Sequence, residues 1–359
     1  MNEQAFIIER DRFLSWLEGL QEKFSLIGPV DQEGGPAFVR LQSVRDMNLH
    51  YSLTMMGPQV FLYRPEERLC TIRKKDHTYE IDIPQSVPPQ VLIGVHSCDL
   101  HALQVLDEVF IRKSKVDRNY RLWRENTVVI GFHCPSVYPQ CFCASMGTGP
   151  FFEPKRGYDF LLTDFGDSYL METLGDRALE MIAPLQLRPA TQDDFDKKSR
   201  IGRELEGQFT KKLDTTHLVE IIMRNQDHPV WRQTADSRCL GCTNCTKVCP
   251  TCFCYDVKDN INYDLTSCER IRHKDSCQEL HFAEVYGGNF RASRMARLRQ
   301  FVTHKLATWV EQLGCFGCVG CGRCMTWCPT KIDLSDMAKE IMATEKYMAL
   351  DVAGKRRGE

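Results

Sequence analysis

The N-terminal part of the chain alternates between helical and strand-like spacing of its hydrophobic positions. Residues 10–24, RDRFLSWLEGLQEKF, carry apolar side chains at intervals of three and four, which predicts an amphipathic helix. Residues 59–64, QVFLYR, predict a short strand. Residues 174–237 are more charged and mostly helical in pattern, and residues 291–313 have the most regular helical spacing in the chain. The chain therefore mixes helices and strands.

Two continuous apolar runs predict buried strands. VLIGVH at 91–96 is followed by Asp99, a residue suited to an N-cap, and by an amphipathic helical pattern; TVVIGFH at 127–133 follows that helix. A strand, a helix and a second strand form a βαβ unit, so we expect the two strands to be parallel neighbours. DFLLTDFG at 159–166 predicts a further strand.

These patterns predict an α+β protein with three regions. Residues 1–230 form an α/β domain with the βαβ unit, because turn-forming residues cluster near 225–237. Residues 231–345 form an α-helical, ferredoxin-like domain, and residues 346–359 form a charged C-terminal tail.

Composition narrows the class of protein. The chain has 359 residues, 43% hydrophobic and 26% charged, as expected for a globular protein of two domains. The formal net charge of −2 gives no general attraction to nucleic acid or to membranes. No apolar run is long enough to span a membrane, and the charged start MNEQAFIIERDRF lacks a signal-peptide core, so a cytoplasmic location is expected.

Cysteine is the unusual component, because the 18 cysteines are clustered. In a cytosolic chain such clusters favour metal binding over disulfides. Two runs have the spacing C-x2-C-x2-C-x3-C-P, which is typical of [4Fe-4S] sites. The first comb is Cys239, Cys242, Cys245 and Cys249, and the second comb is Cys318, Cys321, Cys324 and Cys328.

In proteins with two such runs, the fourth cysteine of each run binds the cluster of the other. This rule predicts two [4Fe-4S] clusters with exchanged ligands. The first ligand set is Cys239, Cys242, Cys245 and Cys328, and the second ligand set is Cys318, Cys321, Cys324 and Cys249. Cys315 has the same spacing upstream of the second comb, but the Cys-Pro pair at 328–329 fixes the register and leaves Cys315 spare. Zinc knuckles are the alternative, although they rarely use a triple comb ending in Cys-Pro.

Four further cysteines predict a third iron–sulfur site. Cys98 follows the predicted strand 91–96, Cys134 follows the strand 127–133, and Cys141 and Cys143 lie in the loop beyond. Ligands of α/β sheets bind at the carboxyl ends of parallel strands. Four thiols at that edge would be enough for a third cluster. The alternative is that they are ordinary buried cysteines.

The remaining cysteines leave their roles open. Cys252, Cys254 and Cys277 either line the clusters or pack in the core, and a fourth cluster would need one more ligand, such as Cys268 or Cys315. Cys70 is interpreted as structural. The basic run at 291–305 is either a solvated helix face or a set of cations that offsets the charge of the clusters.

No other cofactor or catalytic motif is present in the sequence. There is neither a G-x-G-x-x-G fingerprint nor a phosphate loop, so the chain alone is expected to bind no flavin and no nicotinamide. No Ser-His-Asp arrangement or pair of catalytic carboxylates stands out, so no catalytic residue is predicted. Electrons must then enter and leave through other chains.

Five segments resemble a known family, the iron–sulfur β subunits of cytosolic sulfhydrogenase-type nickel–iron hydrogenases; the chain is also similar to the electron-transfer subunit of anaerobic sulfite reductase. The segments are GVHSCDLHAL (94–103), CFCASMGTGP (141–150), 228–257, 275–291 and GCVGCGRCMTWCP (317–329). The family often has Arg-Pro before the cysteine that corresponds to Cys98, where this chain has His96-Ser97. This difference leaves the ligand in place and changes its surroundings, which tune a cluster.

The resemblance implies an electron-transfer subunit of a cytosolic multisubunit oxidoreductase. A separate subunit would bind flavin and NAD(P)H, and another would carry the catalytic metal centre, of nickel–iron hydrogenase type or, alternatively, of sulfite reductase or another flavin-linked complex. The resemblance also implies ligand roles for Cys98, Cys134, Cys141 and Cys143. Two other hypotheses stay open, a self-contained enzyme acting at an incompletely ligated cluster and a zinc-stapled interaction module.

Overall fold

The computed structural model describes residues 3–112 and 115–355, with side chains described up to residue 345. The chain divides into two compact units that are each built from separated segments. The first unit consists of Met1–Pro139, Thr148–Phe209 and Tyr255–Lys274. The second unit consists of Gln140–Gly147, Thr210–Cys254 and Asp275–Glu359. This division differs from the predicted ranges 1–230 and 231–345.

The first unit is centred on a mixed eight-stranded sheet. In order across the sheet, the strands are Arg188–Pro189, Glu3–Glu9, Ser168–Leu174, Phe160–Asp164, Thr127–Phe132, Gln90–His96, Ser25–Gln32 and Gly35–Arg40. The helices of this unit are Arg10–Leu20, Ser97–Asp107, Arg118–Glu125, Asp176–Ile182 and Gln192–Glu206. Short 3-10 turns occur at Val44–Asp46, Pro58–Phe61 and Ala183–Leu185, and a π-helical turn at Glu108–Arg112.

The predicted βαβ unit is present. Gln90–His96 pairs in parallel with Thr127–Phe132, and the helix Ser97–Asp107 lies between them in the sequence. Every residue of both strands is buried, as expected for central strands of a parallel sheet. Phe160–Asp164 extends the parallel pairing by one strand, which agrees with the prediction for residues 159–166.

Three local predictions in this unit differ from the structure. Asp99 is not the N-cap: the strand runs directly into the helix, His96 takes the cap position and Asp99 lies buried in the first turn. Residues 59–64 form no strand, because Pro58 at the first position starts a 3-10 turn there. The first helix ends at Leu20 rather than at Phe24, since the strand Ser25–Gln32 begins directly after the turn.

The first unit also contains a four-stranded antiparallel sheet. Its strands, in spatial order, are Tyr255–Ile261, Ser267–Lys274, Glu66–Lys75 and Thr78–Asp82. The first two of these strands lie inside the range 231–345 that was predicted to be a helical domain, so residues 255–274 depart from that prediction. Every residue of Tyr255–Ile261 is exposed, and Asp259 interrupts the alternate apolar positions Tyr255, Val257 and Ile261, so the hydrophobic alternation of this strand is weak.

The second unit is mainly helical. Its α-helices are Leu218–Arg224, Pro229–Ser237, Asn244–Lys247, Arg294–Thr303, Trp309–Leu313, Arg323–Thr326 and Leu334–Lys355. Short turns lie at Cys143–Met146, His281–Ala283 and the π-helical His304–Thr308, and a small hairpin pairs Glu284–Val285 with Gly288–Asn289. The single helix predicted over 291–313 is therefore interrupted by the π-helical turn. The predicted tail 346–359 is partly helical, up to Lys355, and residues 356–359 lie outside the described residues.

Candidate functional site

The two combs adopt the same backbone conformation, although 79 positions separate them. Two residues of each comb have left-handed backbone angles: Gly241 and Thr243 have φ of 68°, and Gly320 and Gly322 have φ of 64° and 77°. Each pair stands two and four residues after the first cysteine of its comb. These left-handed positions curl the chain tightly, which brings cysteines spaced by two residues around one centre.

The turns that follow are also equivalent. The Thr246 N–H donates to the Thr243 carbonyl at 3.0 Å, and the Met325 N–H donates to the Gly322 carbonyl at 3.2 Å. Short helices, Asn244–Lys247 and Arg323–Thr326, complete each loop before its fourth cysteine. The internal repeat in the sequence is therefore a structural repeat.

The first ligand set lines one cavity of the second unit. Cys239, Cys242 and Cys245 of the first comb meet Cys328 of the second comb there, and Cys324 lies at the same wall. The Asn244 side chain donates to the Trp327 carbonyl at 3.1 Å, which ties the two loops together beside this cavity. Cys328 of the second comb thus lies at the same cavity as the first three cysteines of the first comb, while the exchange of the fourth cysteines stays a prediction.

The thiols that raise the pKa of a given cysteine come mainly from one of the two predicted ligand sets. Burial raises the pKa of Cys245, and the nearby thiols of Cys239, Cys328 and Cys242 raise it further. Burial likewise raises the pKa of Cys324, and the nearby thiols of Cys318, Cys321 and Cys249 raise it further. The thiols near Cys245 are thus mainly those of the predicted first set and the thiols near Cys324 mainly those of the predicted second set, although Cys249 also acts on Cys245, and Cys245 on Cys324.

The raised pKa values of the buried thiols bear on which metal group the site can bind. Burial raises the pKa of Cys318 to about 12, so as a free thiol it stays protonated near neutral pH. Binding a metal requires thiolates, and it therefore releases these protons. Thiolates are the soft ligands that iron–sulfur clusters use, and the cavity wall carries no carboxylate. The residues fit an iron–sulfur group.

In the part of the chain that the structure describes, no group of three or more His, Cys, Asp or Glu side chains is arranged to hold one metal ion.

The segment Gln140–Gly147 belongs to the second unit and packs against the second comb. The Phe142 N–H donates to the Gly320 carbonyl at 2.8 Å, and the Cys141 thiol lies 3.4 Å from the Cys321 carbonyl. A Cβ atom on Gly320 would lie only 2.6 Å from the Cα of Cys143. Glycine at position 320 is therefore needed for this close approach as well as for its left-handed backbone.

The four cysteines expected at one sheet edge are divided between the units. Cys98 lies in the first turn of Ser97–Asp107, and Cys134 follows Thr127–Phe132, so both stand at the carboxyl ends of parallel strands as expected. Cys141 and Cys143, in contrast, belong to the second unit rather than to the α/β unit. The third cluster stays a prediction.

The other cysteines fall into two groups. Cys252 and Cys277 are buried in the core of the second unit, with Cys254 packed against it. The Cys277 thiol, by hydrogen bonding, lowers the pKa of Cys254 to about 7. Cys268 and Cys70 lie on the four-stranded sheet of the first unit, so Cys268 is not part of this group.

Sequence analysis missed several buried cations, of which Lys305 lies beside the predicted ligands. Lys305 comes from the basic run 291–305, yet its side chain is 3% exposed. Burial lowers its pKa, but the thiols of Cys249 and Cys252 outweigh this effect and raise it. The solvated-face interpretation of the run is therefore wrong at this position. The only sequence signal was a lysine placed directly before the apolar pair Leu306 and Ala307.

Among the described residues, no helix combines the length and the apolar character that crossing a bilayer requires.

Comparison with known proteins agrees with this geometry. Residues 238–332 match the family model of the 4Fe-4S dicluster domain. The chain is 31% identical to the protein named sulfhydrogenase 2 subunit beta from Pyrococcus furiosus, over 93% of this chain and 97% of the relative. No solved structure shows a significant match. With both combs inside the matched domain and the relative aligned over nearly its whole length, the chain belongs to the iron–sulfur β-subunit family of sulfhydrogenases.

Proposed function

We propose that this protein is the electron relay of a cytosolic hydrogenase-type complex. It passes single electrons between a subunit that binds flavin and NAD(P)H and a catalytic subunit of the nickel–iron type. The observation that carries the proposal is the cavity where Cys239, Cys242 and Cys245 meet Cys328. The beta-subunit name of the relative supports the hetero-oligomeric setting.

When bound, the clusters supply one-electron redox chemistry. The chain supplies ligands, burial and hydrogen bonds to sulfur, which together set the potential. The Gly320 N–H donates to Cys318 Sγ at 3.4 Å, and the Ile332 N–H donates to Cys328 Sγ at 3.3 Å. Apolar side chains such as Phe301 and Val302 line the first cavity and exclude water. Reduction potentials of iron–sulfur clusters span about −700 to +450 mV, and these features of the protein decide where in that range a cluster lies.

The first ligand set is the one that reaches the surface. Cys242 is exposed, and the neighbouring Leu240 is 61% exposed, whereas Cys318, Cys321 and Cys324 are buried or half-buried. Electron transfer between proteins requires a short distance from cluster to partner. We therefore propose that a partner subunit docks over Leu240 and Cys242.

The cluster assignment can be tested by metal analysis of anaerobically purified protein. Cys328→Ser should lower the iron content by about four atoms per chain, because one cube loses its fourth ligand. Cys70→Ser, a cysteine on the four-stranded sheet, is the matched control and should leave iron unchanged. Zinc without acid-labile sulfide in the wild type would refute the proposal.

The relay itself needs a second experiment. The tagged chain, expressed in its own host, should co-purify with two further subunits, one that binds flavin and one that carries nickel and iron. Reduction of its clusters by NADPH should require the flavin-binding partner. Co-purification with a sirohaem subunit would instead assign the sulfite reductase setting. Turnover of hydrogen, sulfur or sulfite by the isolated chain would show that it is an enzyme on its own.

A further inference from the structure

Lys305 is a cation in the core of the second unit, beside the second ligand set. Its ammonium donates to Thr251 Oγ1 at 2.7 Å and lies 4.5 Å from the centre of the Trp309 ring. Among the described residues, no Asp or Glu forms an ion pair with it; its titratable neighbours are the thiols of Cys249, Cys252 and Cys318.

The local helix geometry turns this lysine inward. His304–Thr308 is a π-helical turn between Arg294–Thr303 and Trp309–Leu313. The extra residue of such a turn shifts the faces of the helix, so that Lys305, Leu306 and Ala307 are consecutive and all buried. Turns of this type frequently occur at functional sites.

Thr251 connects the ammonium to the ligands. Its hydroxyl is fully buried, accepts from Lys305, and lies 3.2 Å from Cys249 Sγ. The same hydroxyl donates to the Gly317 carbonyl at 2.6 Å, directly before Cys318. One side chain thus joins Lys305 to both chain segments that contribute to the second ligand set.

A buried ammonium without a carboxylate is costly unless another negative charge compensates it. The thiolates of a bound cluster carry such a charge. Because opposite charges attract more strongly after the cluster gains an electron, a fixed cation beside it favours the reduced state. The interaction is strong because the site is buried and poorly screened.

The first ligand set lacks an equivalent contact. None of the residues lining its cavity is Lys or Arg. Arg297 reaches the edge of the first comb near Gly241, but its guanidinium donates to the carbonyls of Arg291 and Ala292. The second comb carries, in addition to Lys305, the fully buried Arg323 next to Cys324.

We propose that Lys305 is a positioning residue that makes the cluster of the second ligand set the more easily reduced of the two. It does so through its charge, and the Thr251 hydroxyl, which accepts from Lys305 and donates to the Gly317 carbonyl, holds the ammonium in place beside Cys249. The inference rests on the proposed function, since it assigns the resting place of the electron within the relay. Electrons entering at the exposed first set then move inward.

The test is a redox titration of the full-length, cluster-loaded chain, followed by electron paramagnetic resonance. Lys305→Met removes the charge at similar volume, and Lys305→Arg keeps the charge. Thr251→Val removes the hydroxyl and keeps the lysine. The Cys328→Ser variant, which lacks the first cluster, identifies the signal of the second. Iron is measured for every variant.

We expect Lys305→Met to shift the reduction equilibrium of the second cluster at least tenfold toward the oxidised form, which is about 59 mV for one electron. The first cluster is the internal control and should not move. Thr251→Val should shift the second cluster in the same direction, and Lys305→Arg should stay near the wild type.

Unchanged potentials in Lys305→Met, or equal shifts of both clusters, would overturn the proposal. If Lys305→Met lost iron, its potential could not be compared, and the other two variants would decide. A wild-type potential in Thr251→Val together with a shifted potential in Lys305→Arg would then also overturn the proposal. Failure of the relay proposal would appear separately, as missing partner subunits, while the difference between the two clusters persisted in the isolated chain.

Discussion

Gly320 and Cys143 approach so closely that a Cβ atom at position 320 would lie 2.6 Å from the Cα of Cys143. The contact joins the second comb to the segment that carries Cys141 and Cys143, which is far from the comb in sequence. The added Cβ atom would meet backbone atoms of Cys143, so no flexible side chain could move aside to make room.

Gly320→Ala should therefore displace the segment Gln140–Gly147 from the second comb. We expect a loss of about 1–3 kcal/mol in the free energy of unfolding beyond the backbone strain, the usual cost of overpacking. Gly314→Ala is the matched control, because Gly314 also has positive φ, 73°, yet nothing lies within 4 Å of its Cβ position. Chemical denaturation of both variants isolates the contact. Equal losses in the two would show that the contact contributes nothing.

Cys141→Ser tests the predicted third cluster. If the four cysteines Cys98, Cys134, Cys141 and Cys143 bind a cube, iron should fall from about 12 to about 8 atoms per chain, with acid-labile sulfide falling in parallel. Cys315→Ser, which alters the spare cysteine before the second comb, should leave iron unchanged. About 8 iron atoms in both wild type and Cys141→Ser would confine the clusters to the two combs.

Arg272 stabilises the first unit through a buried ion-pair network. Its guanidinium, 2% exposed, contacts Glu67 and Asp117, and Glu67 also accepts from the Trp123 indole at 3.1 Å. Arg272→Met leaves two carboxylates without their cation and should cost about 3–5 kcal/mol in thermal or chemical unfolding. Arg270→Met, on the same strand, removes an exposed pair with Asp259 and should have a far smaller effect. Similar losses would contradict the buried network.

His101 should make the first unit sensitive to acid. Burial, followed by the charge of Arg156, lowers its pKa to about 4, compared with 6.5 in the unfolded chain. Between these two values the unfolded state binds the proton and the folded state does not, so stability falls as pH drops from about 6.5 to about 4.

Replacing His101 by phenylalanine should flatten that part of the stability profile, because the titrating group is gone. The ring stays compatible with its neighbour, Phe152, whose centroid lies 4.7 Å from the imidazole. Chemical unfolding at a series of pH values measures the slope. An unchanged slope would show that His101 has the same pKa in the folded and the unfolded chain, and would contradict the effect of burial.

Sequence patterns predicted what depends on local spacing. The parallel strands Gln90–His96 and Thr127–Phe132 are continuous apolar runs, and the two combs have a fixed spacing, so both could be recognised. The hairpin formed by Tyr255–Ile261 and Ser267–Lys274 has no such signal, because its pairing with Glu66–Lys75 depends on residues nearly 200 positions away. Lys305 was missed for a related reason: a π-helical turn changes which residues face the core, and no sequence period encodes it.

The segmented construction of the two units affects how this protein can be made. The chain passes from one unit to the other five times, at residues 139, 147, 209, 254 and 274. No single cut can release either unit as one continuous piece. During translation the ribosome must deliver Lys274 before the first unit is complete, and Cys328 before the predicted first ligand set is complete. We therefore expect both units to fold, and the clusters to bind, only after most of the chain has been synthesised. A chain that ends before Cys318 would lack the whole second comb and, with it, ligands of both predicted clusters.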